Sequence, residues 1–342
     1  MQSNHSAIKL GPFTLDHPFI LAPMAGITHS VFRRLMRRHG SAMVVSELIS
    51  ACGILYGSAN TLDLLKFHEE ERCLGFQIFG HDTEALCSAA QHLERLGVDF
   101  VDLNLGCPVG KVVQKGAGAA MCRDLLGLRK TLECLVRSVR IPVSIKIRTG
   151  WDAHSRNALE VVRVASDAGV SWVAIHGRTR AQGYQGRADW EFIGNVKAKS
   201  SLPILGNGDL MTAQSAWEAY HTYQVDGVLI GRAALKNPFI FEQAFSLGRG
   251  DPVEPVHAER YLDLLRELRA LLEQEPQRRS MLYARKFLAW FASGFPGCHG
   301  FRTQVFSILS AEDLWEESFR FFGSQVLRDD SFDPSFLAGG HG

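Results

Sequence analysis

Short apolar runs recur at a steady interval through the first 235 residues, and longer amphipathic segments separate them. The runs are apolar throughout rather than alternating with polar residues, which is typical of strands covered on both faces. Three of the intervening segments have helical spacing and end in glycine, a common signal for a helix end; they are 30–40, 83–97 and 158–169. The predicted strands are 19–24, 42–47, 75–80, 100–106, 142–148, 172–178, 203–209 and 227–233.

Strand and helix predictions alternate eight times along this part of the chain. Such alternation predicts a parallel sheet, and eight is the number of strands that closes a (β/α)8 barrel of about 250 residues. An open, doubly wound sheet is the alternative for the same pattern. We therefore predict an α/β protein whose residues 1–245 form a TIM barrel.

The pattern changes near residue 245. The stretch 246–255 contains glycines and prolines that break regular elements, and it indicates a linker. Helical spacing then returns without any further strand pattern, at 258–274, 281–294 and 311–322. The domains predicted after the barrel are an all-helical domain over 246–328 and a flexible tail over 329–342.

Composition narrows the classes of function. The 342 residues are 46% hydrophobic and 21% charged, as in ordinary folded proteins, and the net charge of +1 gives no direct sign of a nucleic-acid partner. The chain has seven cysteines and no CxxC pair, so a disulfide framework and a zinc ribbon are disfavoured and a reducing cytoplasm is expected. The first residues lack a signal-peptide pattern, and no apolar run is long enough to predict a membrane span.

Polar residues and glycines follow the predicted strands, at the end where TIM barrels carry their active sites. Glycine turns after strands seven and eight often bind phosphate, and a nearby arginine strengthens such a site. A phosphorylated cofactor is therefore expected, whereas a Rossmann-bound dinucleotide is disfavoured because no GxGxxG follows the first strand. The candidates are Pro23, Met24, Ala25, Gln77, Asn104, Cys107, Lys146, Arg148, His176, Arg178, Asn207, Gly208, Asp209, Gly231 and Arg232.

Two of these candidates carry reactive groups. Lys146 lies within a strand, and three roles are open to it: a Schiff base, as in an aldolase, a donor to an electron-rich ring such as a flavin, or a side chain that simply reaches solvent. Cys107 stands between Gly106 and Pro108, and a glycine-rich loop with two lysines follows it. A thiol beneath such a loop indicates an acid or a nucleophile under a lid, and the residues alone leave both roles open.

Several stretches together resemble the tRNA-dihydrouridine synthase family, most of all its bacterial B-type subgroup. They are APMAGIT, FQIFG, LNLGCP followed by KGAGAAM, SIKIRTGW, HGRTR, GNGD and IGRAA, and the similarity continues at ARKFLAWF. The resemblance implies a flavin-binding TIM barrel with a C-terminal helical domain. It also implies the use of FMN and NADPH to reduce a uracil of tRNA to dihydrouridine.

The resemblance assigns expected roles to individual residues. Cys107 would donate a proton to the uracil. Asn104, Arg148 and Tyr184 would contact that base. The FMN-binding residues would be Pro23, Met24, Ala25, Gln77, Lys146, His176, Asn207, Gly208, Asp209, Gly231 and Arg232.

A tRNA partner requires a basic face on the protein, and a net charge near zero for the whole chain does not reveal one. The sequence leaves the oligomeric state open, with a monomer favoured, and no metal is expected. Three alternatives stay open: a flavin barrel reducing a free small molecule of the dihydropyrimidine or dihydroorotate type, a Lys146 aldolase, and an RNA-binding protein without catalysis.

The candidates for the basic face lie in two places. They are Lys111, Lys115, Arg178, Arg180 and Arg187 in the mouth loops, and Arg278, Arg279, Arg285, Lys286 and Arg302 in the helical part.

Overall fold

The computed structural model describes residues 7–253 and 256–325. Eight parallel strands close into a barrel within these ranges, which confirms the predicted TIM barrel and excludes the open sheet. A short antiparallel hairpin precedes the barrel and consists of β1 (Ile8–Leu10) and β2 (Phe13–Leu15). The barrel strands are β3 (Phe19–Leu21), β4 (Val44–Ser50), β5 (Leu74–Phe79), β6 (Phe100–Leu105), β7 (Val143–Arg148), β8 (Trp172–His176), β9 (Ile204–Asn207) and β10 (Gly227–Ile230).

Helices connect the strands and continue beyond the barrel. Two short 3-10 helices, Glu69–Glu71 and Gly118–Arg123, lie in loops. The helices are α1 (Ser30–Arg38), α2 (Ala51–Leu55), α3 (Ala59–Leu64), α4 (Thr83–Leu96), α5 (Gly110–Val113), α6 (Leu125–Ser138), α7 (Ala158–Asp167), α8 (Trp190–Lys197), α9 (Ala213–Tyr223), α10 (Ala233–Lys236), α11 (Ile240–Arg249), α12 (Ala258–Leu272), α13 (Gln277–Phe291), α14 (Cys298–Ser307) and α15 (Ala311–Gly323).

The N-terminal hairpin closes one end of the barrel. Its Leu10 and Leu15 join the buried cluster inside the barrel, which includes Phe100 and Trp172. The ring of Phe13 lies 6.0 Å from that of Phe100, measured between centroids. Phe100 and Trp172, which Phe13 contacts, are the first residues of β6 and β8, so the hairpin covers the N-terminal ends of the strands. The opposite end, where the strands finish, therefore stays available for a site.

Strand register places the polar candidates side by side at that open end. Asn104 of β6 pairs with Lys146 of β7, and Arg148 of β7 pairs with His176 of β8. Asn207 of β9 is in turn the neighbour of His176. In parallel strands, residues in register point to the same face, so these side chains meet at the barrel mouth.

Several boundaries differ from the sequence prediction. Strand β4 continues to Ser50 through an irregularity between Val45 and Leu48, so the predicted end at residue 47 was too early. Strands β8, β9 and β10 end earlier than predicted, which places their last polar candidates in loops. The predicted linker begins inside α11, which runs to Arg249, and α14 was not predicted. The predicted tail lies outside the described residues.

The C-terminal helices α12 to α15 pack against the barrel through a shared apolar core. The rings of Phe32 and Phe287 stack with their centroids 5.0 Å apart, and those of His29 and Tyr283 stack at 3.6 Å. The Tyr261 hydroxyl also donates to the carbonyl of Lys236, at 3.0 Å. These contacts fix the helices beside the first loop of the barrel mouth, and a domain boundary near residue 245 stays a prediction.

Candidate active site

A cleft at the barrel mouth brings together all of the site residues that the sequence predicts except Arg178. Its cavity has a volume of about 180 Å³ and lies between the ends of the strands and the loops that follow them. One wall is apolar and includes Ala22, Met24 and Leu229. The lining also contains Pro23, Ala25, Gln77, Asn104, Cys107, Lys146, Arg148, His176, Tyr184, Asn207, Gly208, Asp209, Gly231 and Arg232.

The loop after β3 forms part of the apolar wall, and internal hydrogen bonds hold it in place. The Thr28 hydroxyl donates to the Met24 carbonyl at 3.1 Å and accepts from the Met24 N–H at 3.0 Å. The Gly26 N–H donates to the buried carboxylate of Glu47. Burial raises the pKa of Glu47, and this hydrogen bond opposes the rise. The sequence prediction ended a strand at Glu47 but did not recognise it as the anchor of this loop.

Lys146 provides the cationic group at the base of the cleft. Its Nζ donates to Asn207 Oδ1 at 3.1 Å, and Asn207 Nδ2 donates to the carbonyl of Leu229 at 2.8 Å. Burial lowers the pKa of Lys146 to about 8; nearby Arg148 also lowers it, and Asp102 opposes the change. One N–H is committed to Asn207, so the remaining ammonium hydrogens can serve a bound ring.

Replacing Lys146 with methionine should stabilise the cofactor-free protein more at pH 7 than at pH 10. The pKa in the folded state, about 8, lies below the ordinary 10.5. Burying the protonated lysine therefore lowers the free energy of unfolding below pH 8. This loss of stability disappears as the pH rises from 8 to 10.5, because the folded protein releases the proton first. We expect the difference in the free energy of unfolding between the variant and the wild type to shrink by about 2 kcal/mol across this window. Urea unfolding of both proteins measures it. A difference that does not change with pH would contradict the assignment.

His176 is a neutral imidazole in this setting. Burial lowers its pKa well below the usual value, and the cations around it, Lys146, Arg148, Arg178 and Arg232, lower it further. Its Nε2 lies 3.3 Å from Nη1 of Arg178. A neutral ring can accept a hydrogen bond at one nitrogen and donate one at the other, which suits contact with a heterocyclic cofactor.

A chain of buried hydrogen bonds links the barrel interior to Cys107. Ser144 Oγ donates to Asp102 Oδ1 at 2.6 Å, and Gln77 Nε2 donates to Asp102 Oδ2 at 2.7 Å. Asn104 Nδ2 donates to Gln77 Oε1 at 2.8 Å, and Asn104 Oδ1 accepts from the Cys107 N–H at 2.8 Å. The acceptor oxygens of Gln77 and Asn104 therefore have protein partners, and each amide keeps one N–H for a ligand.

Asp102 is the start of this chain, and sequence reasoning missed it. It is buried, and burial raises the pKa of its carboxyl while the donors Gln77 and Ser144 lower it. The signal that would have found it is an acidic residue in the otherwise apolar strand FVDLNL. Its Oδ2 accepts from Gln77 and fixes the orientation of that amide, and Gln77 in turn fixes the orientation of Asn104.

The thiol of Cys107 lines the cleft and is only partly buried. Burial raises its pKa, while the Val109 N–H and the charge of Arg148 lower it. The net result is a pKa above the ordinary value for a cysteine, so the thiol is protonated at neutral pH. This favours an acid over a nucleophile, because only the thiolate is nucleophilic.

Arg148 holds two mouth loops together. Its guanidinium donates to the carbonyls of Gly106 at 2.9 Å, Thr179 at 2.9 Å and Gly183 at 2.7 Å. Tyr184, the next residue, is 46% exposed at the edge of the cleft. The guanidinium carbons of Arg148 and Arg232 lie 5.7 Å and 4.9 Å from the centroid of its ring. Contacts of Arg148 and Tyr184 with a base stay predictions.

Arg178 does not belong to a basic face, contrary to the sequence prediction. It is 2% exposed, and its Nη2 lies 2.8 Å from Asp209 Oδ2. Asp209 Oδ2 also accepts from the Ala188 N–H at 2.7 Å, and the φ of Asp209 is +55°, in the left-handed region. That oxygen is therefore engaged by protein groups, and a phosphate would be bound by the backbone of residue 209, since two anions repel.

Some helical-part cations are also engaged in internal contacts. Arg279 pairs with Asp63 at 2.7 Å and with Glu275 at 3.2 Å. Arg285 donates to the carbonyl of Ile308. The expected basic face is therefore smaller than the sequence indicates.

Within the part of the chain that the structure describes, no group of three His, Cys, Asp or Glu side chains is arranged to hold a metal ion. In the same ranges, every helix is too short or too polar to cross a bilayer. The absence of a bound metal in the functional protein stays an expectation.

The fold and the cleft together define a TIM-barrel enzyme with a candidate active site at the barrel mouth. Residues 20–323 match the family model described as dihydrouridine synthase (Dus). The chain therefore belongs to the dihydrouridine synthase family, which confirms the resemblance.

Similar proteins extend over most of the chain. The tRNA-dihydrouridine synthase B of Pseudomonas aeruginosa is 38% identical over 302 residues, 87% of this chain and 91% of that protein. A probable tRNA-dihydrouridine synthase of Rickettsia bellii is 34% identical over 325 residues, 94% of this chain and all of that protein. Among solved structures, histamine dehydrogenase from Rhizobium sp. 4-9 has a TM-score of 0.54 at 12% identity, covering 72% of this chain and 48% of that one. That last likeness shows the fold alone.

Proposed function

We propose that this protein reduces a uridine of tRNA to 5,6-dihydrouridine, with FMN as cofactor and NADPH as the source of electrons. The observation that carries the proposal is that Cys107, Lys146 and His176 line one cleft at the barrel mouth. Burial raises the pKa of the Cys107 thiol, which suits a proton donor. Family membership and the two named relatives support the same activity.

The residues of the cleft fit a flavin. Met24 and Leu229 offer an apolar surface for a flat ring system, and Lys146 offers ammonium hydrogens for its electron-rich edge. Gly208 has a φ of +127°, and a Cβ at that position would come within 2.6 Å of the Cβ of Ala188. Glycine is therefore required at the turn where backbone N–H groups would bind the phosphate, beside Arg232.

The reaction adds two hydrogens across the carbon 5–carbon 6 bond of the uracil. When bound, FMN supplies the hydride that adds to carbon 6. Cys107 Sγ donates the proton to carbon 5 and is then reprotonated from solvent, so the atoms balance. Arg148 and the free N–H of Asn104 stabilise negative charge on the pyrimidine oxygens during this step.

The substrate must bring a single base into the cleft. A uracil stacked inside a folded tRNA is out of reach, so it has to be turned out of its stack at a cost of a few kcal/mol. Tyr184, exposed at the edge of the cleft, is positioned to contact the extruded base. A tRNA substrate and the free thiols of the chain are consistent with a cytoplasmic location.

Two measurements test the function. The purified protein should have the absorbance of FMN, and it should form dihydrouridine in unmodified tRNA with NADPH, quantified by nucleoside mass spectrometry. In cells, deletion of the gene should remove dihydrouridine at one mapped position. Turnover of free dihydroorotate or a free pyrimidine, with no product in tRNA, would overturn the proposal in favour of the small-molecule reductase.

A further inference from the structure

Two arginines contact the indole ring of Trp151 beside the active-site cleft. The guanidinium carbon of Arg123 lies 4.6 Å from the ring centroid, and that of Arg180 lies 4.7 Å from it. Both distances are within the range of cation–π attraction, which is strongest for tryptophan. We call these three residues the Arg123–Trp151–Arg180 cluster.

The cluster joins three consecutive loops of the barrel mouth. Arg123 ends the 3-10 helix after β6, Trp151 follows β7, and Arg180 follows β8. Backbone hydrogen bonds hold the last two loops together: the Arg180 N–H donates to Gly150 at 2.9 Å, and the Ala181 N–H donates to Trp151 at 2.9 Å. The indole ring and the paired loops therefore restrict the movement of both guanidinium groups.

Both charges of the cluster lack an acidic partner. Among the ion pairs of the described residues, none includes Arg123 or Arg180. Arg180 Nε is buried, and no described residue accepts a hydrogen bond from it. Asp152, next to Trp151, is engaged elsewhere: its Oδ1 accepts from the N–H groups of His154 and Ser155 and from the Ser155 hydroxyl. Many other surface arginines of this protein pair with a carboxylate, so two neighbours without one indicate an anionic ligand.

We propose that the Arg123–Trp151–Arg180 cluster binds the phosphodiester backbone of the RNA next to the nucleotide whose base enters the cleft; this rests on the proposed function. Hydrogen bonds connect this rim to the cleft. The N–H of Ala119, in the 3-10 helix that ends at Arg123, donates to the Cys107 carbonyl at 3.5 Å. Arg148, which lines the cleft, donates to the carbonyl of Thr179, the residue before Arg180, at 2.9 Å. An RNA strand that places a base at the thiol therefore passes close to this rim.

Physical chemistry favours phosphate over other anions here. A guanidinium donates two parallel hydrogen bonds to a phosphate, and its delocalised charge is weakly hydrated. Stacking on Trp151 restricts both arginines before binding, so less side-chain entropy is lost when the RNA arrives. Two fixed cations match a strand with a repeated negative charge better than they match one small ion.

The test is the salt dependence of tRNA binding. In Arg123→Gln/Arg180→Gln, the dissociation constant of an unmodified tRNA transcript should rise about 10- to 100-fold near 0.1 M salt, and the slope of log K against log[salt] should fall by about 2. The matched control is Arg129→Gln/Arg137→Gln, which removes two charges from α6 that pair with Glu133. The control should bind with the affinity and slope of the wild type.

Further variants separate a binding role from a structural one. Arg123→Lys/Arg180→Lys keeps the charge but loses the planar group, so it should bind with intermediate affinity and a slope near that of the wild type. Flavin content and melting temperature should stay unchanged in all variants. A glutamine double variant that binds like the wild type, or that only melts earlier, would overturn the proposal.

Failure of the proposed function gives a different result. If the wild-type protein forms no dihydrouridine in any tRNA, the function is wrong, whatever the binding slopes show. If the wild type is active and the glutamine double variant keeps its affinity and slope, the function stands and the cluster has no role in RNA binding.

Discussion

Replacing Cys107 with alanine will lower the rate of dihydrouridine formation in tRNA by about 10²- to 10⁴-fold, the usual contribution of a positioned acid. The flavin content and the rate of flavin reduction by NADPH will stay close to those of the wild type. The thiol lines the cleft with its pKa raised by burial, so it is protonated when the base arrives. The variant removes that proton source and little apolar packing, because the residue is only partly buried.

The measurement is single-turnover reduction of a tRNA transcript by the pre-reduced protein, with product quantified by mass spectrometry. The matched control is Cys122→Ala, in the same mouth loop. Burial raises the pKa of Cys122 to about 12, and its thiol donates to the Leu105 carbonyl at 3.7 Å. Cys122 is not among the residues that line the cleft. An active Cys107→Ala variant, or one that loses its flavin, would contradict the assignment of an acid.

The barrel could be predicted from the sequence because its strands are covered on both faces. Ile145 and Ile147 of β7 are fully buried, and such strands appear as continuous apolar runs whatever their neighbours are. The candidate site followed from the same pattern, since a polar residue that ends an apolar run lies at the barrel mouth. Lys146 and His176 were found in this way, and both line the cleft.

The hairpin that closes the barrel could not be predicted in the same way. Its strands are three residues each, too short for an alternating pattern to be distinguished from a loop. The end of β4 was missed for a related reason, because an irregularity after Val45 breaks the pattern before the strand continues to Ser50.

The roles of the arginines were the least predictable feature, because a guanidinium is equally basic wherever the fold places it. Arg178 and Arg180 stand two residues apart in HGRTR, yet the first is buried against Asp209 and the second contacts Trp151. Arg34 shows how distant a partner can be, since its Nη1 donates at 2.9 Å to Gln274, which lies in the C-terminal helical part. Such partners depend on tertiary packing, which no local pattern encodes.

Arg33 provides the clearest case, and its replacement is expected to have the largest effect on stability. It is 1% exposed, and its Nε lies 2.6 Å from Oε2 of the fully buried Glu71. Its other nitrogens donate to the carbonyls of Thr28 at 2.7 Å and Lys66 at 3.1 Å. The Ser30 hydroxyl and the His68 N–H both donate to Glu71 Oε1. The hydrogen bonds of Arg33 and Glu71 therefore connect α1, the loop before it and the segment 66–71 beside the first mouth loop.

Arg33→Met will lower the free energy of unfolding by about 3–5 kcal/mol, because Glu71 would stay buried without its cation and two carbonyls would lose their donor. Arg33→Met/Glu71→Leu should recover much of this loss, since an apolar pair of similar volume removes the buried charge. The control is Arg266→Met, whose partner Asp263 is exposed at the surface; there the change should be below about 1 kcal/mol.

Urea unfolding of the flavin-loaded proteins, followed by fluorescence, measures all three differences at once. A loss below about 1 kcal/mol in Arg33→Met would mean that water or a shifted side chain satisfies Glu71, and the prediction would be wrong. A double variant no more stable than the single one would place the effect in the lost carbonyl contacts instead. Because the Thr28 carbonyl ends the loop that bears Met24, that second outcome should also lower the affinity for FMN.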